Sequence, residues 1–183
     1  MNKQIFSVTK TNNYKDKPMK IYTSQIHRFK SQHLTVGEII HNLSPERMLI
    51  RPAPDKWNIH DNIAHLAKSQ ITFRERISKI LSEDAPHFER YKPEDDPEFE
   101  AFTKRSVDDL LKYLDEERIK FAALIYSLSE KELERVGVHK KYGQLNIVQW
   151  IEFFLLHEAH HIFTIFQLTN DTDLIQERLA INS

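Results

Sequence analysis

The chain has 183 residues, 40% of them hydrophobic, and no cysteine, which excludes disulfides, cysteine-ligated zinc and a thiol nucleophile supplied by the protein. The 26 Lys and Arg residues nearly balance 27 Asp and Glu residues, so the net charge of -1 gives no field to attract nucleic acid or an anionic membrane. The length fits one globular domain with a sizeable core.

The sequence shows no feature of a membrane or secreted protein. No apolar run approaches the roughly 20 residues that cross a bilayer. The first residues, MNKQIFSVTKTNNYKDKPMK, lack the apolar core of a secretory signal. We therefore expect a cytoplasmic protein with no nucleic-acid or membrane partner.

Helical periodicity and few turn residues indicate an all-α fold. Glycine occurs three times, and the seven prolines lie outside the long periodic segments. Residues 1–19 read as a polar tail, and residues 20–183 as a single domain. Helix 1 is predicted over residues 21–43, where apolar side chains recur at helical spacing until Ser44 and Pro45.

Two further long helices follow, separated by a long connection. Asn58 is a good N-cap, so helix 2 is predicted from residue 59 to near residues 84–86. Residues 83–104 contain several prolines and acids and are predicted to form a crossing loop with little regular structure. Helix 3 follows the N-cap Ser106 and runs to about Ser127.

The last third of the chain contains a short helix and a long one. Ser129 and Glu132 cap the short helix, which Gly137 is predicted to end. The passage VHKKYGQLN reads as turn-like or weakly extended. Asn146 then caps helix 4, predicted over residues 147–168. The prediction is an all-α four-helix bundle with a long crossover loop and a short extra helix.

Helix 4 carries histidines in its otherwise apolar stretch LLHEAHHIFTI. Since 3.6 residues make one turn, His157 and His161 share the core-facing side, whereas His160 points about 100° away from His161. A buried imidazole needs a hydrogen bond, an ion pair or a metal ion. Two imidazoles spaced i, i+4 can bind one cation from the same side, so we weigh a metal site against ordinary core histidines.

Two interpretations compete for a third ligand. His157-Glu158-Ala159-His160-His161 matches H-E-x-x-H, the pattern of zinc metalloproteases with Glu as general base. That class needs a further ligand, for which Glu177 is the one plausible glutamate downstream, and substrate-binding strands are missing, so we disfavour it. The other candidate is His65, but helical phase places it at the edge of its helix's apolar stripe, and the periodicity alone does not decide.

A family resemblance favours His65. The segments RPAPDKWNIHDNIAHLAKSQITFRERISKIL and FLLHEAHHIFTI resemble the DinB/YfiT-like superfamily of metal-binding four-helix bundles, over residues 20 to 170. The resemblance implies that His65, His157 and His161 bind nickel, zinc or another divalent ion. Three neutral imidazoles would leave coordination positions open, as at catalytic zinc sites.

The resemblance also implies a function. Several members are thiol-dependent S-transferases, in which the metal activates a low-molecular-weight thiol, and we favour this activity on a small-molecule substrate. A metal-dependent hydrolase and a non-catalytic metal-binding stress protein are the alternatives. A homodimer is expected from the same resemblance.

Other residues are weaker candidates. Glu158 is a candidate catalytic residue that could hydrogen-bond a ligand histidine or accept a proton, or else pair with a donor on the helix flank. Trp57 could wall the pocket, although anchoring its loop is the favoured role. Arg74, Arg76 and the basic edge formed by Lys140 and Lys141 could hold an anionic substrate, although we expect these residues to be solvated charges on the surface.

Overall fold

The computed structural model describes residues 20–171, and the predicted tail over residues 1–19 lies outside this range. Three long helices and one broken helix form the bundle. The long helices are α4 (Ile59–Ser82), α6 (Val107–Tyr126) and α8 (Ile147–Asn170). The broken helix consists of α1 (Thr23–Ser31), a 3-10 turn (Gln32–Leu34) and α2 (Thr35–Ile40). The four-helix bundle is therefore confirmed.

The starts of the long helices are fixed by local side-chain caps. At α4, Asp61 N donates to the Asn58 side chain at 2.7 Å, and Asn58 N donates back to the Asp61 carboxylate at 3.3 Å. Asn146 and Gln149 form the same reciprocal pair at α8, with both distances 2.9 Å. These caps satisfy backbone N–H groups that have no partner inside the helix. They also set the register of every histidine that follows.

The prediction of one continuous helix over residues 21–43 is wrong. Ser31 leaves the helical region, with φ -133° and ψ -16°, and the chain passes through a 3-10 turn before α2 begins. The hydroxyl of Ser31 donates to the His27 carbonyl at 3.0 Å, the type of local bond by which serine competes with helical hydrogen bonding. A further short helix, α3 (Pro45–Met48), leads toward α4.

The crossover is more structured than predicted. Residues 83–104 contain strand β1 (His87–Phe88), a 3-10 turn (Pro93–Asp95) and helix α5 (Pro97–Thr103). The side chains of Asp96 and Tyr91 hydrogen-bond at 2.8 Å, and Asp96 also lies 3.6 Å from Lys68 of α4. These polar contacts hold the crossover against the bundle, and periodicity gives no sign of them.

A small sheet packs beside the bundle. The short helix α7 (Glu130–Leu133) ends before Gly137, which lies instead in strand β2 (Val136–His139). Strand β3 (Gly143–Asn146) pairs antiparallel with β2, and β1 pairs parallel with β2. A Cβ atom at Gly137 would lie 2.8 Å from both Ile80 and Phe88, so this close contact requires glycine. The passage predicted as turn-like or weakly extended is thus a hairpin.

The core has two apolar clusters, and buried polar side chains lie between them along each helix. One cluster includes Phe29, Phe73, Phe121 and Phe154, and the other includes Val36, Ile63, Leu110 and Ile165. Buried polar side chains that fall between the two clusters in sequence include His33, Gln70, Glu117, Arg118 and Glu158. We call these five residues the mid-bundle polar layer. No helix in the described part of the chain is both long and apolar enough to cross a membrane.

Candidate metal centre

The structure brings His65 of α4 together with His157 and His161 of α8. One ring nitrogen from each residue lies within 4.8 Å of the other two. The Nε2 atoms of His65 and His157 are 3.0 Å apart, and the ring centroids of His65 and His161 are separated by 4.4 Å. Helical phase predicted that His157 and His161 share one face, but the approach of His65 depends on how α4 packs against α8.

Burial keeps these imidazoles neutral. Desolvation, followed by the charges of neighbouring imidazoles, lowers the pKa of His65 from 6.5 to about 2. Desolvation is also the first cause at the other two rings, where the pKa falls to about 4 for His157 and about 3 for His161. A neutral imidazole retains a nitrogen lone pair, which is the form that binds a metal ion.

Asn62 holds His161 in one orientation through a contact that no sequence pattern predicted. Its amide nitrogen donates to the Asn58 carbonyl at 2.8 Å, which leaves its side-chain oxygen facing His161 Nδ1 at 2.9 Å. His161 Nδ1 therefore carries the hydrogen, and its Nε2 keeps the lone pair. In the sequence, Asn62 lies one helical turn before His65, so a polar residue at that spacing was the signal that could have pointed to it. The structure shows that its side chain is buried.

The chemistry of the three rings fits a divalent cation. His65 and His157 place their Nε2 atoms face to face, while their Nδ1 atoms are buried without a hydrogen-bond partner in residues 20–171. Two neighbouring lone pairs repel unless a proton or a cation lies between them. Nitrogens bound to one ion at 2.0–2.1 Å are about 3 Å apart, so the observed spacing needs little adjustment. Imidazole ligands suit zinc, nickel, copper and iron.

The three imidazoles line a cavity of about 360 Å³ that also has aromatic walls. The ring of Trp57 lies 5.0 Å from that of His65 and 6.0 Å from that of His161, and it stacks on Phe99 of the crossover at 5.5 Å. Trp57 thus contacts the crossover and also walls the pocket. His160 is exposed and lines the same cavity, but it is not one of the three converging rings.

The structure does not bring Glu158 into this cavity. Its side chain is fully buried and forms an ion pair with Arg118, and the side chains of Gln32 and Gln70 also donate to it, at 2.9 and 3.4 Å. In the described part of the chain, no recorded hydrogen bond joins Glu158 to the three imidazoles. A catalytic role for Glu158 stays a prediction, and its observed contacts are those of a structural ion pair.

The basic residues singled out from the sequence separate into different environments. Arg74 pairs with Glu117 of the mid-bundle polar layer at 2.8 Å. Lys140 pairs with Glu89 at 2.7 Å on the surface, and Lys141 is exposed. Arg76 lines the cavity that contains the three imidazoles. Of the four, only Arg76 lies where it could contact a ligand bound beside them.

Comparison with known proteins agrees with this fold. The sequence profile of the DinB superfamily matches residues 32–165, which cover most of the chain and include all three histidines. The protein belongs to the DinB superfamily. The resemblance proposed from its two histidine-bearing segments is therefore confirmed.

Two similar sequences and one solved structure extend the comparison. A protein of Oceanobacillus iheyensis named "putative metal-dependent hydrolase" is 25% identical over 152 residues, covering 79% of this chain and 86% of that protein. YuaE of Bacillus subtilis, described as uncharacterized, is 26% identical over 147 residues, or 73% of this chain and 90% of YuaE. YfiT of Bacillus subtilis, described as "a probable metal-dependent hydrolase with an unusual four-helix bundle topology", superposes with TM-score 0.71 and 17% identity over 86% of this chain and 93% of YfiT. At 17% identity, the similarity to YfiT is evidence for the fold of this chain alone.

Proposed function

We propose that this protein is a divalent-metal-dependent enzyme and that His65, His157 and His161 hold the ion. The observation that carries the proposal is the convergence of three neutral imidazoles, one buried and two partly buried, at the wall of a cavity. Structural zinc sites are closed by four protein ligands, whereas three ligands beside a cavity leave a position for water or substrate. We propose zinc or nickel as the ion.

The ion, when bound, supplies Lewis acidity that polarises a carbonyl or phosphoryl oxygen and lowers the pKa of a coordinated water or thiol. The residues of the chain perform the remaining tasks. Asn62 fixes the tautomer and direction of His161. Trp57, which stacks on Phe99, covers one side of the pocket with apolar surface and limits the access of bulk water to a bound substrate.

Hydrolysis of a small molecule is one candidate reaction. It needs a single organic substrate and water, and the cavity of about 360 Å³ can hold a small molecule beside the three imidazoles. The names of YfiT and of the Oceanobacillus iheyensis relative, both of which contain the term metal-dependent hydrolase, support this candidate.

Transfer of a low-molecular-weight thiol is the second candidate, and a specific observation favours it. A second, largely apolar groove of about 570 Å³ adjoins the first cavity and shares Phe153, His157 and His160 with it. Two spaces that meet at His157 suit a reaction with two organic substrates, in which the thiolate sulfur of one displaces a leaving group on the other. Because the chain has no cysteine, the thiol would be a substrate.

Elemental analysis after gel filtration without chelator tests the metal proposal. We expect about one divalent ion per chain in the wild type and a loss of the ion in His65→Ala and in His161→Ala. His41→Ala is the control, since His41 is exposed and bonds the Glu38 carbonyl. A wild-type protein that stays empty after reloading with zinc and with nickel would rule the proposal out.

Turnover by the loaded protein then distinguishes the candidates. Hydrolysis predicts cleavage of esters or amides with ¹⁸O from labelled water in the product, without added thiol. Thiol transfer predicts consumption of an electrophile only when a thiol is present. Either activity should be lost in His157→Ala. If metal binding raises the melting temperature but neither screen shows turnover, the result would instead support a non-catalytic metal-binding function.

A further inference from the structure

Arg76 is a partly buried cation with no carboxylate partner among residues 20–171. Its one recorded hydrogen bond runs from Nη2 to the Glu89 carbonyl at 3.1 Å, although a guanidinium carries five N–H donors. Arg74, two residues earlier on the same helix, pairs with Glu117 at 2.8 Å. A cation removed from water without a counter-ion is unfavourable, so the environment of Arg76 requires a physical reason.

Aromatic rings hold the Arg76 guanidinium in this position. Its central carbon lies 5.4 Å from the ring centroid of Phe73 and 5.7 Å from the centroids of both Phe88 and Trp150. Burial lowers the pKa of Arg76 from its usual value, which reports the cost of keeping the charge there. Aromatic faces attract a cation, but they do not use its remaining hydrogen-bond donors. The Arg76 side chain is therefore ordered and still able to donate.

The cavity that Arg76 lines contains other cations and, among the described residues, no acid. Arg90 and Lys92 of the crossover line the same cavity, and both are exposed. No Asp or Glu is found among the described residues that line it. Because of these three cations, the described side chains that line the cavity carry a net positive charge. Such a pocket favours an anion over a neutral molecule of the same size.

The remaining walls determine what kind of anion fits. Trp57, Phe73, Tyr91 and Phe153 supply apolar and aromatic surface in a space of about 360 Å³. Sites for small organic ligands typically combine such aromatic surface with a small number of polar or charged groups that orient the ligand. A bare inorganic ion would leave most of that surface without a contact.

We infer that the cavity takes a small organic substrate with an apolar or aromatic body and one anionic group, a carboxylate or a phosphate, which Arg76 binds with Arg90 at the cavity mouth. Arg76 and Arg90 would hold the anion while the reacting bond lies beside the three imidazoles. This assignment rests on the proposed function for the location of the reaction. The charge selectivity of the cavity can be measured without it.

Calorimetric titration of metal-free and zinc-loaded protein tests the inference, in low-salt buffer without phosphate. The probes are benzoate, phenyl phosphate and neutral benzyl alcohol. We expect the wild type to bind at least one anionic probe about tenfold more tightly than benzyl alcohol, and Arg76→Met to lose most of that preference. The tighter of the two anions identifies the anionic group. Arg76→Lys should retain part of the preference because it keeps the charge.

Controls separate this result from the metal proposal. Lys112→Met removes an exposed charge from α6 and should behave as wild type. The zinc content of Arg76→Met should equal that of wild type. Equal affinity for anionic and neutral probes in the wild type, or unchanged anion affinity in Arg76→Met, would overturn the inference even if zinc binds. If zinc does not bind, the proposed metal-dependent function is ruled out, but the titration of the metal-free protein still tests the charge selectivity.

A second variant guards against misfolding of Arg76→Met. Arg90 is exposed and lines the cavity, so Arg90→Met should leave the fold intact, as circular dichroism can check. We expect it to weaken anion binding by about threefold, in line with a more solvated contact. If Arg76→Met does not fold, unchanged anion affinity in Arg90→Met would overturn the inference.

Discussion

His161 Nδ1 donates a hydrogen bond to the side-chain oxygen of Asn62 at 2.9 Å, across the contact between α8 and α4. Asn62 is itself held by its bond to the Asn58 carbonyl, so the N-terminal turn of α4 orients a histidine on another helix. Groups that orient a metal-binding histidine affect metal affinity without contacting the ion.

Asn62→Leu should weaken metal binding while preserving the three imidazoles. Leucine has a similar size but cannot accept the His161 hydrogen bond, so we expect zinc affinity to fall by about 10- to 100-fold. Competition with a chelating dye measures this change. His41→Gln is the control, because His41 is exposed and bonds the Glu38 carbonyl. Wild-type affinity in Asn62→Leu would show that the bond does not orient His161.

The stability of the metal-free protein should decrease on acidification. Burial lowers the pKa of His65, His157 and His161 from 6.5 to about 2, 4 and 3, respectively. Below pH 6.5 the unfolded chain therefore binds more protons than the folded chain, and the free energy of unfolding falls with decreasing pH. Burial also lowers the pKa of His33 and His139, so these two residues likewise make the folded protein less stable as the pH falls.

Urea unfolding at pH 7.5, 6 and 5 in the presence of chelator measures this dependence. The midpoint should be highest at pH 7.5 and should fall steadily to pH 5. His65→Gln removes one of these groups and should reduce the slope. A midpoint that is constant or rises toward pH 5 would contradict the prediction.

Substitution of either Arg118 or Glu158 should break their buried ion pair and lower the free energy of unfolding. Both side chains are buried in the mid-bundle polar layer, and Arg118 also donates to the Gln70 side chain and the Phe29 carbonyl. Arg118→Met or Glu158→Gln leaves a buried charge without its partner, which costs roughly 3 to 5 kcal/mol. Urea denaturation of the metal-free protein measures each loss.

The double variant Arg118→Met/Glu158→Gln tests the same pair. It removes both charges and leaves an amide that can bond Gln70, so its destabilisation should be well below the sum of the two single variants. Glu116→Gln is the surface control, because Glu116 forms an exposed pair with Lys112 and should hardly affect stability. Additive losses in the double variant would mean that the two charges do not stabilise each other.

Two glycine substitutions should have opposite effects on stability. A Cβ atom at Gly137 would lie 2.8 Å from Ile80 and Phe88, so Gly137→Ala should destabilise the protein by about 1 to 3 kcal/mol. Gly37 lies in α2, where the nearest atom to an added Cβ is 3.9 Å away, and Gly37→Ala should stabilise by about 0.5 to 1 kcal/mol. Thermal unfolding compares the two, and a stabilising Gly137→Ala would refute the packing argument.

Local sequence patterns determined most of the bundle. The caps at Asn58, Ser106 and Asn146 gave the starts of α4, α6 and α8, because capping depends on residues three apart in the chain. The same locality placed His157 and His161 on one side of α8. The break in the first helix was missed because its apolar spacing continues through the 3-10 turn.

The tertiary structure decided the contacts between elements. Helical phase fixes directions within one helix, but it does not fix the rotation of one helix against another, so His65 could be assigned from the sequence only through the family resemblance. For the same reason, the partner of Glu158 on α6 and the bond from Asn62 to His161 were not predicted. The position of Arg76 beside the three imidazoles, with no carboxylate partner among residues 20–171, likewise follows from packing, because it depends on which side chains from distant parts of the chain line one cavity.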